Sequence, residues 1–88
     1  MKIMKVGTLW CLECLMMNPI WEAIAKEMPN LELKSFDADE DEELLKPYSI
    51  KDIPTFIFFS QDNQELFRVK GLQKKEKLLE LIKENLDK

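Results

Sequence analysis

Short alternating apolar runs and longer periodic ones divide the 88-residue chain into recognisable elements. Lys2 to Val6 reads as a strand, with Ile3, Met4 and Val6 apolar and Gly7 ending it. Leu12, Met16, Ile20, Ile24 and Met28 then recur at intervals of four, flanked by Met17, Trp21 and Ala25, which predicts a helix buried along that wide face. Pro19 falls inside this helix, removes a backbone donor and is expected to kink it, and Met28-Pro29-Asn30 ends it. Leu31 to Phe36 alternates as a strand does. From Asp37 to Glu43 there are six acids in seven residues, the composition of a solvated helix start, and Lys46-Pro47 closes that short helix. A calcium loop is not expected there, because the glycine and the distal bidentate acid are missing.

Tyr48 to Asp52 reads as a connector, and Phe56 to Phe59 is too apolar and too rich in strand formers for an exposed edge. Gln61 to Gln64 is a turn. Beyond it, Glu65 to Lys70 alternates, with Leu66, Arg68 and Lys70 on one side and Phe67 and Val69 on the other. A turn this short makes the two strands an antiparallel hairpin. Gly71 breaks the second strand, and Gln73 to Leu86 is a helix with Leu78, Leu79, Ile82 and Leu86 on one face. The order is β-α-β-α-β-β-α. Joining the first two strands through a helix demands a parallel pair and a right-handed crossover. The expected fold is therefore α/β, a four-stranded mixed sheet with helices on both faces, in one domain over residues 1–88.

Charge changes the picture by exclusion. A net charge of −4 and the lack of a basic stripe argue against nucleic acid as a partner. Lys70, Lys74, Lys75 and Lys77 cluster only as a solvated helix start would. No stretch approaches the length of a membrane span, and Met1 to Val6 lacks the apolar run of an export signal. No membrane partner is expected, and the expected location is cytoplasmic.

The chemistry is concentrated in Trp10-Cys11-Leu12-Glu13-Cys14, which holds the chain's only two cysteines at a strand-to-helix junction. A ring closed across two residues is a weak staple, adding roughly 2 kcal/mol on the loop-entropy estimate. The spacing suits reversible exchange, in which one thiolate attacks a disulfide and the second thiol resolves the mixed species. In a reducing compartment such a pair is more often catalytic or metal-binding than permanently bridged.

Several features together resemble the thioredoxin family. Trp-Cys-x-x-Cys stands at the first strand–helix junction, and Pro19 lies eight positions after Cys11, where the family carries a proline. Tyr48-Ser49-Ile50-Lys51-Asp52-Ile53-Pro54-Thr55 is similar to the family's Tyr-Gly-Ile-x-x-Ile-Pro-Thr, and Gly71 follows the hairpin. The resemblance covers nearly the whole chain. It implies a thioredoxin-like fold and a protein-disulfide reductase or related thiol–disulfide oxidoreductase. It also implies a cis Pro54 facing the cysteines and a substrate groove bordered by Gly71. The chain departs from the family in lacking the initial strand and helix, in having Leu12-Glu13 between the cysteines, and in placing Lys5 where the family has a buried acid. Leu33 replaces the lysine that usually accompanies that acid.

Within this frame Cys11 is the expected attacker, because the unpaired N–H groups and dipole of a helix N-terminus stabilise its anion. Cys14, one turn in, is the expected resolver. Glu13 beside them disfavours further negative charge, which makes the reduced form less favourable and leans the couple towards acting as a reductant. Lys5 has two readings: its ammonium extends past the sheet edge, or it lies under Cys14 and lowers that thiol's pKa. Pro54 leaves the Ile53 N–H and carbonyl free to pair with an incoming peptide, and Trp10, Leu12 and Ile53 form an apolar rim, although Trp10 could instead belong to the core.

The expected partners are disulfide-containing proteins and a recycling system, either a thioredoxin-reductase-type enzyme or a glutathione-linked one. No cofactor is expected beyond the Cys11–Cys14 disulfide, and the chain is expected to be a monomer. Two other functions compete. An adaptor would use the groove without turnover, and a zinc site would need a dimer, since zinc usually takes four ligands and the chain has two cysteines and no histidine.

Overall fold

The computed structural model describes residues 1–87. Its elements are β1 (Lys2–Gly7), α1 (Leu12–Glu27), β2 (Glu32–Asp37), α2 (Glu42–Leu45), a 3-10 turn (Lys46–Tyr48), β3 (Thr55–Phe59), β4 (Glu65–Lys70) and α3 (Lys75–Asn85). The four strands form one sheet in the order β2-β1-β3-β4. β1 and β2 are parallel, β1 and β3 antiparallel, and β3 and β4 make the hairpin.

β3 is buried at all five positions because it lies between two strands and is covered on both faces. On one face Ile3, Phe56 and Phe58 pack with Met17, Trp21 and Ile24 of α1 and Leu78 and Ile82 of α3. On the other, Met4, Val6, Ile57 and Phe59 pack with Leu45 of α2. Each large side chain buried this way contributes about 1.5–3 kcal/mol. Aromatic contacts fix the layers. Phe67 of β4 stacks on Phe58 with ring centres 4.4 Å apart, and Trp21 meets Phe56 edge-on at 5.2 Å.

The helix face differs from the one the four-residue spacing predicts. Met17, Trp21 and Ile24 are buried, Ile20 and Met28 only partly, while Leu12 and Met16 are exposed. A residue every four advances about 40° beyond a full turn at each step, so such a row winds around the helix and leaves the core. Spacing of i, i+4, i+7 stays on one side. The helix also runs through Pro19 without interruption, and Pro19 faces solvent.

The acidic run serves itself. Asp37 Oδ1 accepts the N–H groups of Asp39 and Glu40, at 2.8 and 3.0 Å, and Asp41 Oδ2 accepts that of Asp37 at 2.9 Å. These bonds shape the loop between β2 and α2. Ser49, just past the 3-10 turn, takes a left-handed conformation with φ of 52°.

Candidate active site

β1 ends at Gly7, and the chain turns through Thr8 to Trp10 before α1 begins. Cys11 is the N-cap of that helix, in extended conformation, and its sulfur accepts the Cys14 N–H at 3.2 Å. An orphan donor of the first turn is thus spent on the sulfur, which is how a helix start favours a negatively charged cap. Both cysteines are free thiols. Burial, followed by the hydrogen bond with Cys11, pushes the Cys14 thiol up to about 11. Glu13 is exposed and is not among the groups that raise it.

Gly7 is a site residue that its pattern position alone did not reveal. A Cβ there would stand 2.7 Å from the Cys14 sulfur, so only glycine lets the thiol settle against the strand end. The available signal was a glycine ending a strand shortly before the cysteines, read only as a terminator.

Trp10 is 72% exposed, which removes the core alternative, and its indole N–H donates to Asp39 at 3.1 Å. Asp39 was hidden in the acidic run. Leu12 is exposed as well, as are Leu9 and Leu15, which line the cleft with Cys14.

The Ile53–Pro54 peptide bond is cis. Ile53 is half-buried and Pro54 fully buried. The Pro54 carbonyl accepts the Gly71 N–H at 2.8 Å, and Pro54 lines the same cleft as Cys14. Gly71 has φ of +75°, and the Glu13 carboxylate lies 3.7 Å from where its Cβ would be. The structure therefore brings Cys14, Pro54, Gly71 and Glu13 into one neighbourhood.

Lys5 does not extend past an edge, because β1 is an interior strand. It is half-buried under α1, with Nζ 5.9 Å from the centre of a Trp21 ring, and it lines the cleft with Cys14. Desolvation by burial holds its amine below the ordinary lysine range, and the Glu22 carboxylate opposes this. The cleft is about 370 Å³ and is also lined by Thr8, Trp21 and Ser35. Among the described residues, no group of three or more histidines, cysteines or acids is placed to hold a metal ion.

Comparison with known proteins agrees with this geometry. The thioredoxin family model matches residues 3–84. A thioredoxin of Chlamydia trachomatis serovar D is 38% identical over 73 residues, spanning 83% of this chain and 71% of that one. Among solved structures, Fasciola hepatica thioredoxin superposes with a TM-score of 0.85 at 34% identity, covering 96% of this chain and 79% of that one. A mutant thioredoxin from Halobacterium salinarum superposes at 0.88 with 28% identity, covering 99% and 75%. No helix among the described residues is long and apolar enough to cross a membrane. With the fold, the cysteine spacing and these relatives in agreement, the chain belongs to the thioredoxin family and is a thiol–disulfide oxidoreductase.

Proposed function

We propose that residues 1–88 work as one monomeric domain that reduces disulfides in proteins of the cytoplasm. The Cys11 thiolate attacks the substrate disulfide and forms a mixed disulfide, releasing one substrate thiol. Cys14 then attacks the Cys11 sulfur, closes the Cys11–Cys14 disulfide and releases the second thiol. The electron pair comes from the dithiol, so no bound cofactor takes part. A thioredoxin-reductase-type enzyme or a glutathione-linked system then returns two electrons to the disulfide.

The observation that carries this reading is the Cys14 N–H on the Cys11 sulfur at 3.2 Å. It puts a backbone donor on the Cys11 sulfur, whereas Cys14, pushed up to about 11, stays protonated until it is needed. Trp10, Leu12 and Ile53 form the apolar rim for the substrate, and Pro54 and Gly71 border the groove in which its chain is laid. A dithiol whose second thiol resists ionisation gains little from reduction, which favours donating electrons over accepting them.

Reduction of insulin by the reduced protein, followed by redox equilibration against glutathione, tests the proposal. Turnover with a potential below that of the glutathione couple is expected. Failure to reduce insulin, with wild-type folding intact, would leave the adaptor reading, and a potential well above glutathione would make the protein an oxidant.

A further inference from the structure

Gly71 opens a stretch without regular structure that runs to the start of α3 at Lys75. Its own N–H is held by the Pro54 carbonyl at 2.8 Å. Leu72 is exposed, and Gln73 then turns inward and is half-buried. The Gln73 side chain donates through Nε2 to the Lys70 carbonyl at 2.7 Å. Its backbone N–H donates to the Met17 sulfur at 3.3 Å, a bond between residues 56 positions apart.

Met17 is buried on α1 one turn after Cys14, on the same side of the helix, and it lines the cleft with Cys14. A single side chain thus reaches from the helix that carries the dithiol to the loop that follows Gly71. Packing alone does not require methionine here. Leucine would fill the position between Trp21, Ile24 and the sheet with comparable volume, but it carries no acceptor. A thioether accepts weakly, yet a half-buried backbone N–H outside helix and sheet still has to find a partner. The indole Nε1 of Trp21, in the same cluster, is buried with no partner among the described residues. The sulfur is therefore turned to the loop and not to the indole.

We propose that Met17 is a positioning residue for the substrate, because its sulfur fixes the loop from Gly71 to Gln73 against α1 and so sets the groove edge relative to the dithiol. The inference rests on the groove proposed at Pro54 and Gly71. That edge is held twice, at Gly71 by the Pro54 carbonyl and two residues later by Met17. A peptide laid along it meets a backbone already in place and spends no binding energy on ordering it. Without the acceptor the Gln73 N–H turns to water, the loop gains freedom, and an extended substrate binds less tightly. A small disulfide reaches the sulfurs without lying along the groove, so it does not feel the difference.

The test compares wild type with two variants. Met17→Leu keeps the volume and drops the acceptor, whereas Ile24→Val loosens the same core layer about two turns further along α1. Three quantities are measured: amide exchange at Gln73, steady-state reduction of insulin with dithiothreitol supplying electrons, and single-turnover reaction of the reduced protein with 5,5′-dithiobis(2-nitrobenzoate). In wild type and Ile24→Val the Gln73 amide should exchange at least about tenfold more slowly than in an unstructured chain, and Met17→Leu should lose that protection. The ratio of kcat/KM on insulin to the rate constant with the small disulfide should fall about three- to tenfold in Met17→Leu, the worth of one ordinary hydrogen bond. The loss should lie in KM. In Ile24→Val the ratio should stay within about twofold of wild type. An unprotected Gln73 amide in wild type, or a ratio in Met17→Leu that matches wild type, would overturn the role of Met17 alone. So would an equal fall in Ile24→Val, because packing by itself would then explain it. Wild type that consumes the small disulfide but leaves insulin intact would overturn the proposed groove and this role together.

Discussion

The Cys14 sulfur lies where a side chain on Gly7 would have to be, with 2.7 Å between it and that Cβ position. Even one methyl group must therefore displace the Cys14 thiol or the turn of helix that carries it. Gly7→Ala should leave alkylation of Cys11 unchanged while lowering insulin turnover at least about tenfold. Mass spectrometry should find the Cys11 mixed disulfide accumulating. Normal turnover would show that Cys14 can move aside freely.

Alkaline solution should reveal the raised Cys14 thiol. Cys14 is raised from 9.0 to about 11 in the folded state, so between those values the native protein holds a proton that the unfolded chain has lost. Its contribution to stability is complete below pH 9.0 and is lost as pH rises through about 11. Lys5 has the opposite sign: its lowered value makes the native state shed a proton first, which adds stability as pH climbs towards 10.5. Denaturant titrations of reduced wild type and Cys14→Ala isolate the cysteine part. Their difference in stability should shrink steadily above pH 9.0. A constant difference would contradict the raised thiol.

Ser49 holds φ at 52°, a conformation that costs an L-residue about 1–2 kcal/mol and glycine almost nothing. Ser49→Gly should stabilise the protein by about 0.5–1 kcal/mol after the larger entropy of the unfolded glycine is counted. Chemical denaturation measures it. A loss of stability would mean that the serine side chain makes a contact that offsets its backbone.

Trp21 joins both ends of the buried layer, meeting Phe56 and Phe58 with ring centres 5.2 and 6.4 Å away and carrying Lys5 on its face. Trp21→Ala should cost about 3–5 kcal/mol. Trp21→Phe, which keeps an aromatic face and discards the unpartnered N–H, should cost much less. If the two variants unfold at the same denaturant concentration, aromatic packing is not what the tryptophan provides.

Glu13 places a carboxylate 3.7 Å from the Cβ position of Gly71, beside the groove proposed for substrate. Disulfide peptides with lysine beside the cysteine should be reduced about two- to threefold faster than ones with glutamate there, at low salt. Glu13→Gln should erase the preference, and added salt should weaken it. An unchanged ratio in the variant would place the substrate elsewhere.

Element order was legible in the chain because each element carries its own local signal. The alternation of Glu65 to Lys70, the unbroken Phe56 to Phe59 and the spacing of Cys11 and Cys14 need no knowledge of what lies opposite. What failed depended on partners. The place of Lys5 required knowing that β1 is flanked by β2 and β3, and no pattern within Lys2 to Val6 carries that information. Leu12 and Met16 looked like core because their spacing repeats, but both are exposed on the first turns of α1, off the face that Met17, Trp21 and Ile24 turn to the sheet. Gly7 acts through its contact with Cys14 further along the chain, and Asp39, which accepts from Trp10, sits in a biased acidic stretch, so neither shows in its local pattern.

The burial of Thr55 to Phe59 has a consequence outside the site. Released from the sheet, this segment is a short, uncharged, strongly strand-forming run, the kind that stacks with copies of itself. Pro54 on one side and Asp62 on the other are the sort of flanking residues that interrupt such stacking. β1 and β4, one on each side of β3, keep the run paired within its own molecule. Variants that loosen either neighbour should therefore be lost to aggregation before they are lost to unfolding, and the yield of soluble protein should be the first quantity to fall.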